Sequence, residues 1–95
     1  MDFKRFIHEV PNFPKKGILY RDIIPLMSNP SIWRQVVSEF KFLVEDLDPQ
    51  LILGIESRGF IIGSAIATAL NIGFIPIRKE GKLPGKVIGV EYDLE

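Results

Sequence analysis

Residues 56–59 contain three types that suit a phosphate group, Ser57, Arg58 and Gly59, directly after Glu56. The arginine guanidinium matches phosphate oxygens, the serine hydroxyl is a donor, and glycine lets the backbone approach a ligand closely. The segment follows an apolar run at 51–55 that is typical of a buried strand, and it leads into a helical pattern whose first N–H groups favour an anion. The segment therefore predicts a cradle for phosphate or pyrophosphate. A structural alternative explains it equally well: Ser57 caps the helix and Arg58 pairs with Glu56 at the surface.

A second basic group follows the next apolar run, residues 74–77. Arg78 and Lys79 come first, and Lys82 and Lys86 lie in a Gly/Pro-rich loop. Parallel strands end at the same edge of a sheet, and ligands of open α/β sheets bind beyond that edge. The two strand ends together predict an electropositive rim. For Lys82 and Lys86 alone, a solvated loop is the better explanation.

The segment at 13–23 is apolar and aromatic and lies between prolines. Such a segment can line a flat pocket whose backbone groups read the edge of a base. The alternative, which composition alone favours, is an N-terminal arm in which Arg21 and Asp22 are paired.

The spacing of apolar residues predicts the elements that position these groups. It indicates helices over 3–10, 30–47 and 59–70, and strands over 51–55 and 74–77. Helices and strands in alternation predict an α/β fold with a parallel sheet in one domain. Because short strands offer little core, we expect the fold to be part of a larger one or to be completed by oligomerisation.

The composition narrows the class of protein further. The 95 residues carry 12 Lys and Arg against 12 Asp and Glu, and there is no cysteine. Bulk charge therefore gives no indication of nucleic acid or an anionic membrane as a partner. Disulfides and Cys-ligated metals are excluded, which fits a reducing, cytoplasmic compartment. No apolar run is long enough to span a bilayer.

Three segments resemble the adenine phosphoribosyltransferases, which are type I phosphoribosyltransferases: FPKKGILYRDIIPL, GIESRGFIIG and IRKEGKLPGK. They occur in the family's order and at similar spacing, and the resemblance covers nearly the whole chain. It implies the N-terminal half of a type I phosphoribosyltransferase-like α/β fold, a parallel sheet flanked by helices and incomplete at the C-terminus. The single domain 1–95 then divides into an adenine-side arm (1–30), an α/β core (31–79) and a flexible catalytic loop (80–95).

The resemblance implies a glycosyltransferase of purine salvage. Such an enzyme transfers phosphoribosyl from phosphoribosyl pyrophosphate (PRPP) to adenine, giving AMP and pyrophosphate, with Mg²⁺ bound to PRPP or pyrophosphate. It also implies a cytoplasmic homodimer. In the family an acidic pair binds the ribose hydroxyls and a Thr/Gly-rich turn holds the 5-phosphate. Neither occurs in these residues, so we expect the chain alone to be inactive or weakly active. The alternatives are a non-catalytic PRPP- or nucleotide-sensing module and a phosphoribosyltransferase for another purine base.

The resemblance also implies roles for individual residues. It assigns PRPP and pyrophosphate to a polar set, Glu56, Ser57, Arg58, Gly59, Arg78, Lys79 and Lys82. It assigns adenine to Leu19, Tyr20 and Arg21, catalytic roles to Arg58 and Glu95, and no metal ligand to the protein. A cis peptide bond between Glu56 and Ser57 is a further implication.

Overall fold

The computed structural model describes residues 2–89. It contains two compact units, one within Met1–Asp48 and the other within Pro49–Glu95. Glu95, for which a catalytic role is expected, lies outside the described residues, as does most of the strand-like sequence at 87–95. The single domain and its three parts stay a prediction.

The first unit begins with an antiparallel hairpin. Its strands are β1, His8–Pro11, and β2, Leu19–Asp22. The connecting loop is closed by the Phe13 N–H, which donates to the Ile18 carbonyl at 3.0 Å. The Asn12 side chain braces the same loop by accepting the Gly17 N–H at 2.9 Å. The sequence over residues 13–25 predicts a turn, a short extended segment and a second turn, and the extended part is confirmed as one arm of the hairpin.

The helix predicted over residues 3–10 is wrong. Only Phe3–Phe6 is helical, as a short 3-10 turn whose first residues are capped by Asp2, which accepts the Lys4 N–H at 3.1 Å. The chain then becomes extended in β1, where Val10 lies opposite Tyr20. So short a helix would be marginal, and cross-strand pairing satisfies the same backbone groups better.

A short helix, α1 over Ile24–Ser28, was expected to be a turn. Its first amide is satisfied from outside, because the Asp22 carboxylate accepts the Ile24 N–H at 2.9 Å. Leu26 from this helix is buried. A helix of barely more than one turn has too few residues to show an apolar period.

The next helix, α2 over Pro30–Val44, starts where the sequence predicts. Asn29 is its N-cap and accepts the amides of Ser31 at 3.1 Å and Ile32 at 3.2 Å. A 3-10 turn, Glu45–Leu47, continues the helical path to Asp48, which has a left-handed conformation. No helix within residues 2–89 is both long enough and apolar enough to cross a bilayer.

The second unit contains a β-α-β arrangement, as the sequence predicts. Strand β3, Leu51–Ile55, pairs in parallel with β4, Gly73–Ile77. Helix α3, Arg58–Leu70, connects them and contacts both strands. Leu51 lies beside Gly73 and Ile55 beside Ile77, so the strands are paired along their whole length.

Helix α3 lies close to the sheet because the facing residues are small. A Cβ at Gly54 would collide with the carbonyl oxygen of Gly59 and would lie 2.6 Å from the Phe74 ring. A Cβ at Gly63 would meet the same ring at 2.6 Å, and Ala67 is 2% exposed. Small residues recur every four positions in the sequence of α3, at Gly59, Gly63 and Ala67, which predicts a small face toward the sheet, and the structure confirms it.

The other face of the two-stranded sheet is apolar and open. Leu53, Ile55 and Ile75 are 57%, 50% and 45% exposed. Side chains alternate between the faces of a strand, and Ile52, Gly54 and Phe74 face α3. This agrees with the expectation that two short strands supply little core.

The close approach of α3 to β3 can be tested with Gly54→Ala. We expect a loss of about 1–3 kcal/mol in the free energy of unfolding, because the methyl group overpacks against Gly59 and Phe74. Urea denaturation measures it. Gly89→Ala is the control, since within residues 2–89 no atom lies within 4 Å of a Cβ at that site. Equal stability of Gly54→Ala and the parent protein would contradict this packing.

Candidate functional site

The two polar segments lie side by side at one edge of the sheet. Ile55 ends β3 beside Ile77, which ends β4. The pairing extends one residue further, because the Glu56 N–H donates to the Ile77 carbonyl at 3.2 Å. Residues 56–59 and 78–79 therefore leave the sheet at the same edge, as the sequence predicts.

The Glu56 carboxylate spans the two segments. Its Oε1 accepts the backbone N–H of Lys79 at 2.7 Å and lies 3.8 Å from Nε of Arg78. Both side chains are about one-third exposed, at 33% for Glu56 and 37% for Arg78. Water screens such a pair, so it contributes little to stability and more to geometry. Glu56 thus does form an ion pair, and its partner in this pair is Arg78, whereas the structural alternative expected Arg58.

Ser57 lies at the N-cap position of α3, but its hydroxyl makes no capping hydrogen bond to the described helix. The residue has φ 62° and ψ −97°, a conformation that is strained for a residue with a side chain. The Ser57 side chain is exposed. The alternative that Ser57 serves as a side-chain cap is therefore wrong, and the hydroxyl can face a ligand.

The cis peptide bond expected between Glu56 and Ser57 is not found. Phe13–Pro14 is the cis peptide bond present within residues 2–89. The chain turns from strand to helix at this point through the positive φ of Ser57.

Arg58 and Gly59 open α3 at the same edge. Arg58 is the first helical residue and is exposed, so its cation adds to the positive end of the helix dipole. The Gly59 N–H donates to the Glu56 carbonyl at 3.4 Å. A Cβ on Gly59 would lie 3.4 Å from Gly54, about an ordinary van der Waals distance, so the helix starts close above β3.

A turn after β4 brings a further lysine back toward this edge. The Lys82 N–H donates to the Lys79 carbonyl at 3.1 Å, and Gly81 supplies the required positive φ of 82°. Residues 78–89 are exposed throughout, as expected of this loop. Lys79 and Lys82 therefore belong to one local turn, whereas Lys86 lies beyond it.

Phe60 is a site residue that sequence reasoning missed. The Arg78 guanidinium carbon lies 5.9 Å from the centre of the Phe60 ring. That ring packs edge-to-face on Phe74, with ring centres 6.3 Å apart. No local pattern in the sequence indicates this residue, because its contact with Arg78 depends on how α3 packs beside β4.

The residues expected to bind a base lie in the first unit, on β2. Leu19 is 46% exposed, and the Tyr20 ring packs edge-to-face on Phe13 with ring centres 5.2 Å apart. Arg21 lies opposite Glu9 across the hairpin. The Asp22 carboxylate caps α1 by accepting the Ile24 N–H. The hairpin therefore displays an aromatic pair and an exposed apolar side chain.

Metal-binding side chains are not grouped within residues 2–89: no three His, Asp or Glu residues there are placed to hold an ion. The sheet edge is instead dominated by cations. Its chemistry fits a polyanion with several oxygens better than a metal ion.

Comparison with known proteins identifies the relatives of this chain. No protein-family model matches it. An adenine phosphoribosyltransferase of Prochlorococcus marinus (strain MIT 9313) is 55% identical over 95 residues, which are 100% of this chain and 55% of that protein. The chain spans about half the length of the curated relatives it matches.

Solved structures give the same result. The adenine phosphoribosyltransferase of Giardia lamblia, complexed with 9-deazaadenine, superposes with a TM-score of 0.92 at 39% identity, covering 99% of this chain and 52% of that one. The enzyme of Trypanosoma brucei, in complex with AMP, pyrophosphate and ribose-5-phosphate, has a TM-score of 0.78 at 29% identity, covering 90% of this chain and 38% of that one.

Ser57→Ala tests whether the Ser57 hydroxyl contributes to the fold. Because this hydroxyl makes no capping hydrogen bond, we expect the free energy of unfolding to change by less than about 0.5 kcal/mol. Asn29→Ala is the matched comparison and should cost about 1 kcal/mol, since Asn29 does cap α2. Thermal or urea unfolding distinguishes the two. A loss at Ser57 as large as that at Asn29 would show that Ser57 is a cap.

Proposed function

Because this chain belongs to the adenine phosphoribosyltransferase family and corresponds to its N-terminal half, we propose that the complete protein transfers phosphoribosyl from PRPP to adenine. The bond between the ribose anomeric carbon and pyrophosphate breaks, the bond to N9 of adenine forms, and N9 loses its proton. The products are AMP and pyrophosphate. The chain spans about half of its relatives, so we expect residues 1–95 alone to turn over slowly or not at all.

The observation that carries this proposal is the meeting of two strand ends at one sheet edge. β3 delivers Ser57 and Arg58 there, and β4 delivers Arg78 and Lys79. The first turn of α3 adds the positive end of a helix dipole. An edge with an arginine from each strand, a hydroxyl and helix amides suits the several oxygens of pyrophosphate.

Stabilising the departing pyrophosphate is the catalytic task of this edge. Negative charge grows on the leaving oxygen as the bond to ribose breaks, and donors fixed in place lower the energy of that state. We assign direct contacts with pyrophosphate oxygens to five side chains: Ser57, Arg58, Arg78, Lys79 and Lys82. Gly59 allows the backbone to approach the pyrophosphate closely. Glu56 is the first residue of this pyrophosphate loop, residues 56–59. Arg58 is the catalytic residue of this group.

We propose that the hairpin of the first unit binds adenine. Backbone groups of Leu19 and Arg21 would read the edge of the base, and Tyr20 would lie beside the ring. The support is the exposed apolar surface of Leu19 and the edge-to-face contact that holds Tyr20 on Phe13. Glu95 is proposed as a carboxylate that acts near the base or ribose.

We also propose that the complete protein uses Mg²⁺, forms a homodimer and is located in the cytoplasm. Bound Mg²⁺ neutralises charge on PRPP and pyrophosphate. The described residues 2–89 offer no group of three acidic or histidine side chains for a metal. Mg²⁺ would be bound together with PRPP or pyrophosphate, while the cations of the sheet edge bind other oxygens of the same anion.

The activity is tested by incubating the complete protein with adenine, PRPP and Mg²⁺ and measuring AMP and pyrophosphate. Equal formation of both products supports the transfer. Competition by guanine, hypoxanthine and xanthine tests the choice of base. PRPP binding without any product would support the sensor alternative, and the absence of PRPP binding would contradict the family function.

Arg58→Ala tests the leaving-group role. We expect the affinity for pyrophosphate and kcat/KM for PRPP to fall by about 10- to 100-fold, the usual worth of a hydrogen bond to a charged group. Stability should be nearly unchanged, because Arg58 is exposed. Arg34→Ala, an equal change on an exposed residue of α2, is the control. Unchanged kinetics in Arg58→Ala would remove Arg58 from the mechanism.

A further inference from the structure

We propose that Glu56 and Phe60 are positioning residues that hold the Arg78 guanidinium for pyrophosphate, and that Glu56 itself does not bind the anion. The inference rests on the proposed function of the sheet edge. It separates two roles at this edge. The cations bind the ligand, whereas Glu56 and Phe60 hold one of those cations, Arg78, in place.

Three contacts surround the start of the segment after β4. The Glu56 carboxylate accepts the Lys79 backbone N–H at 2.7 Å, which fixes the main chain next to Arg78. The same Oε1 lies 3.8 Å from Nε of Arg78. The Phe60 ring lies 5.9 Å from the guanidinium carbon. Arg78 is thus held through its backbone neighbour, its guanidinium edge and an aromatic contact.

The contact with Glu56 involves Nε, the guanidinium nitrogen nearest the side-chain stem. A guanidinium carries five N–H donors, four of them on its two terminal nitrogens. The ion pair at 3.8 Å is too long for a hydrogen bond, but its attraction restrains the group near Glu56 while the terminal donors stay available for a ligand. Arg78 is also 37% exposed, so an anion can reach it.

Phe60 is itself held in place. Its ring packs edge-to-face on Phe74, and Phe74 fills the space beside Gly54 and Gly63. A long arginine side chain loses much rotamer freedom when it binds a ligand. A carboxylate and a fixed ring that order Arg78 beforehand reduce that cost, which improves affinity without adding a contact to the ligand.

The proposal predicts the direction in which removal of the Glu56 charge changes pyrophosphate affinity. A carboxylate next to an anion site repels the anion, so its removal should tighten binding if charge alone matters. If Glu56 positions Arg78, its removal should weaken binding. Glu56→Gln separates the two effects, because the amide oxygen can still accept the Lys79 N–H while the charge that attracts Arg78 is lost.

The experiment is a double-mutant cycle on the complete protein, with pyrophosphate binding measured by calorimetry at constant Mg²⁺ and ionic strength. We expect Glu56→Gln to weaken pyrophosphate binding by about three- to tenfold, and Phe60→Leu by a similar factor. In an Arg78→Ala background, Glu56→Gln should have no effect or should tighten binding. Glu45→Gln, an equal charge change on an exposed residue, is the control.

Two outcomes would overturn the proposal. Unchanged or tighter binding in Glu56→Gln, with Arg78 present, would show that Glu56 does not position Arg78 for the anion. Equal weakening with and without Arg78 would show that Glu56 acts on the ligand directly. Phe60→Leu keeps the carboxylate and so tests the ring independently, even if Glu56→Gln fails to fold.

A readout without ligand separates this proposal from the proposed function. ¹⁵N relaxation of the Arg78 Nε–H group should show greater side-chain motion in Glu56→Gln and in Phe60→Leu than in the parent protein. Unchanged motion in both variants would contradict the positioning role. If the parent protein binds no pyrophosphate, the proposed function fails, and the relaxation data alone decide whether Arg78 is held.

Discussion

The parallel pairing of β3 with β4 is the constraint on which the site depends. Parallel strands end at the same edge, so one crossover helix is enough to bring residues 56–59 next to residues 78–79. The pairing requires α3 to lie close above the sheet. Glycines at 54 and 63 make this possible, because side chains at either position would collide with Phe74. The parallel pairing of β3 with β4 thus determines both the packing of α3 on the sheet and the set of side chains at its edge.

Three basic residues and one carboxylate lie together at this edge of the sheet. The formal net charge of the chain is zero, yet Arg58, Arg78 and Lys79 emerge at one edge of one small sheet. Glu56 lies among them and bonds to the segment that carries two of them. A single carboxylate among these cations offsets the mutual repulsion that opposes bringing them together.

Much of this architecture was predictable from the sequence, because its signals are local. The Asn29-Pro30 pair marks the start of α2, and the short apolar runs mark β3 and β4. The residue types after each run predict an anion site there, and the parallel pairing brings those residues to one edge. Partners across the edge were not predictable, since the pairing of Glu56 with Arg78 depends on register and rotamers that no local pattern encodes. The prediction of a helix over 3–10 was wrong because pairing with β2 overrides the helical spacing of the apolar residues there.

We propose that pyrophosphate binds where β3 and β4 end. Changes in amide chemical shifts on adding pyrophosphate test this most directly. Pyrophosphate with Mg²⁺ would be added to the ¹⁵N-labelled complete protein. We predict saturable shifts in the amides of Ser57, Arg58, Gly59 and Lys79, and much smaller ones along α2. Shifts confined to other parts of the chain, or no saturable shifts at all, would contradict the account.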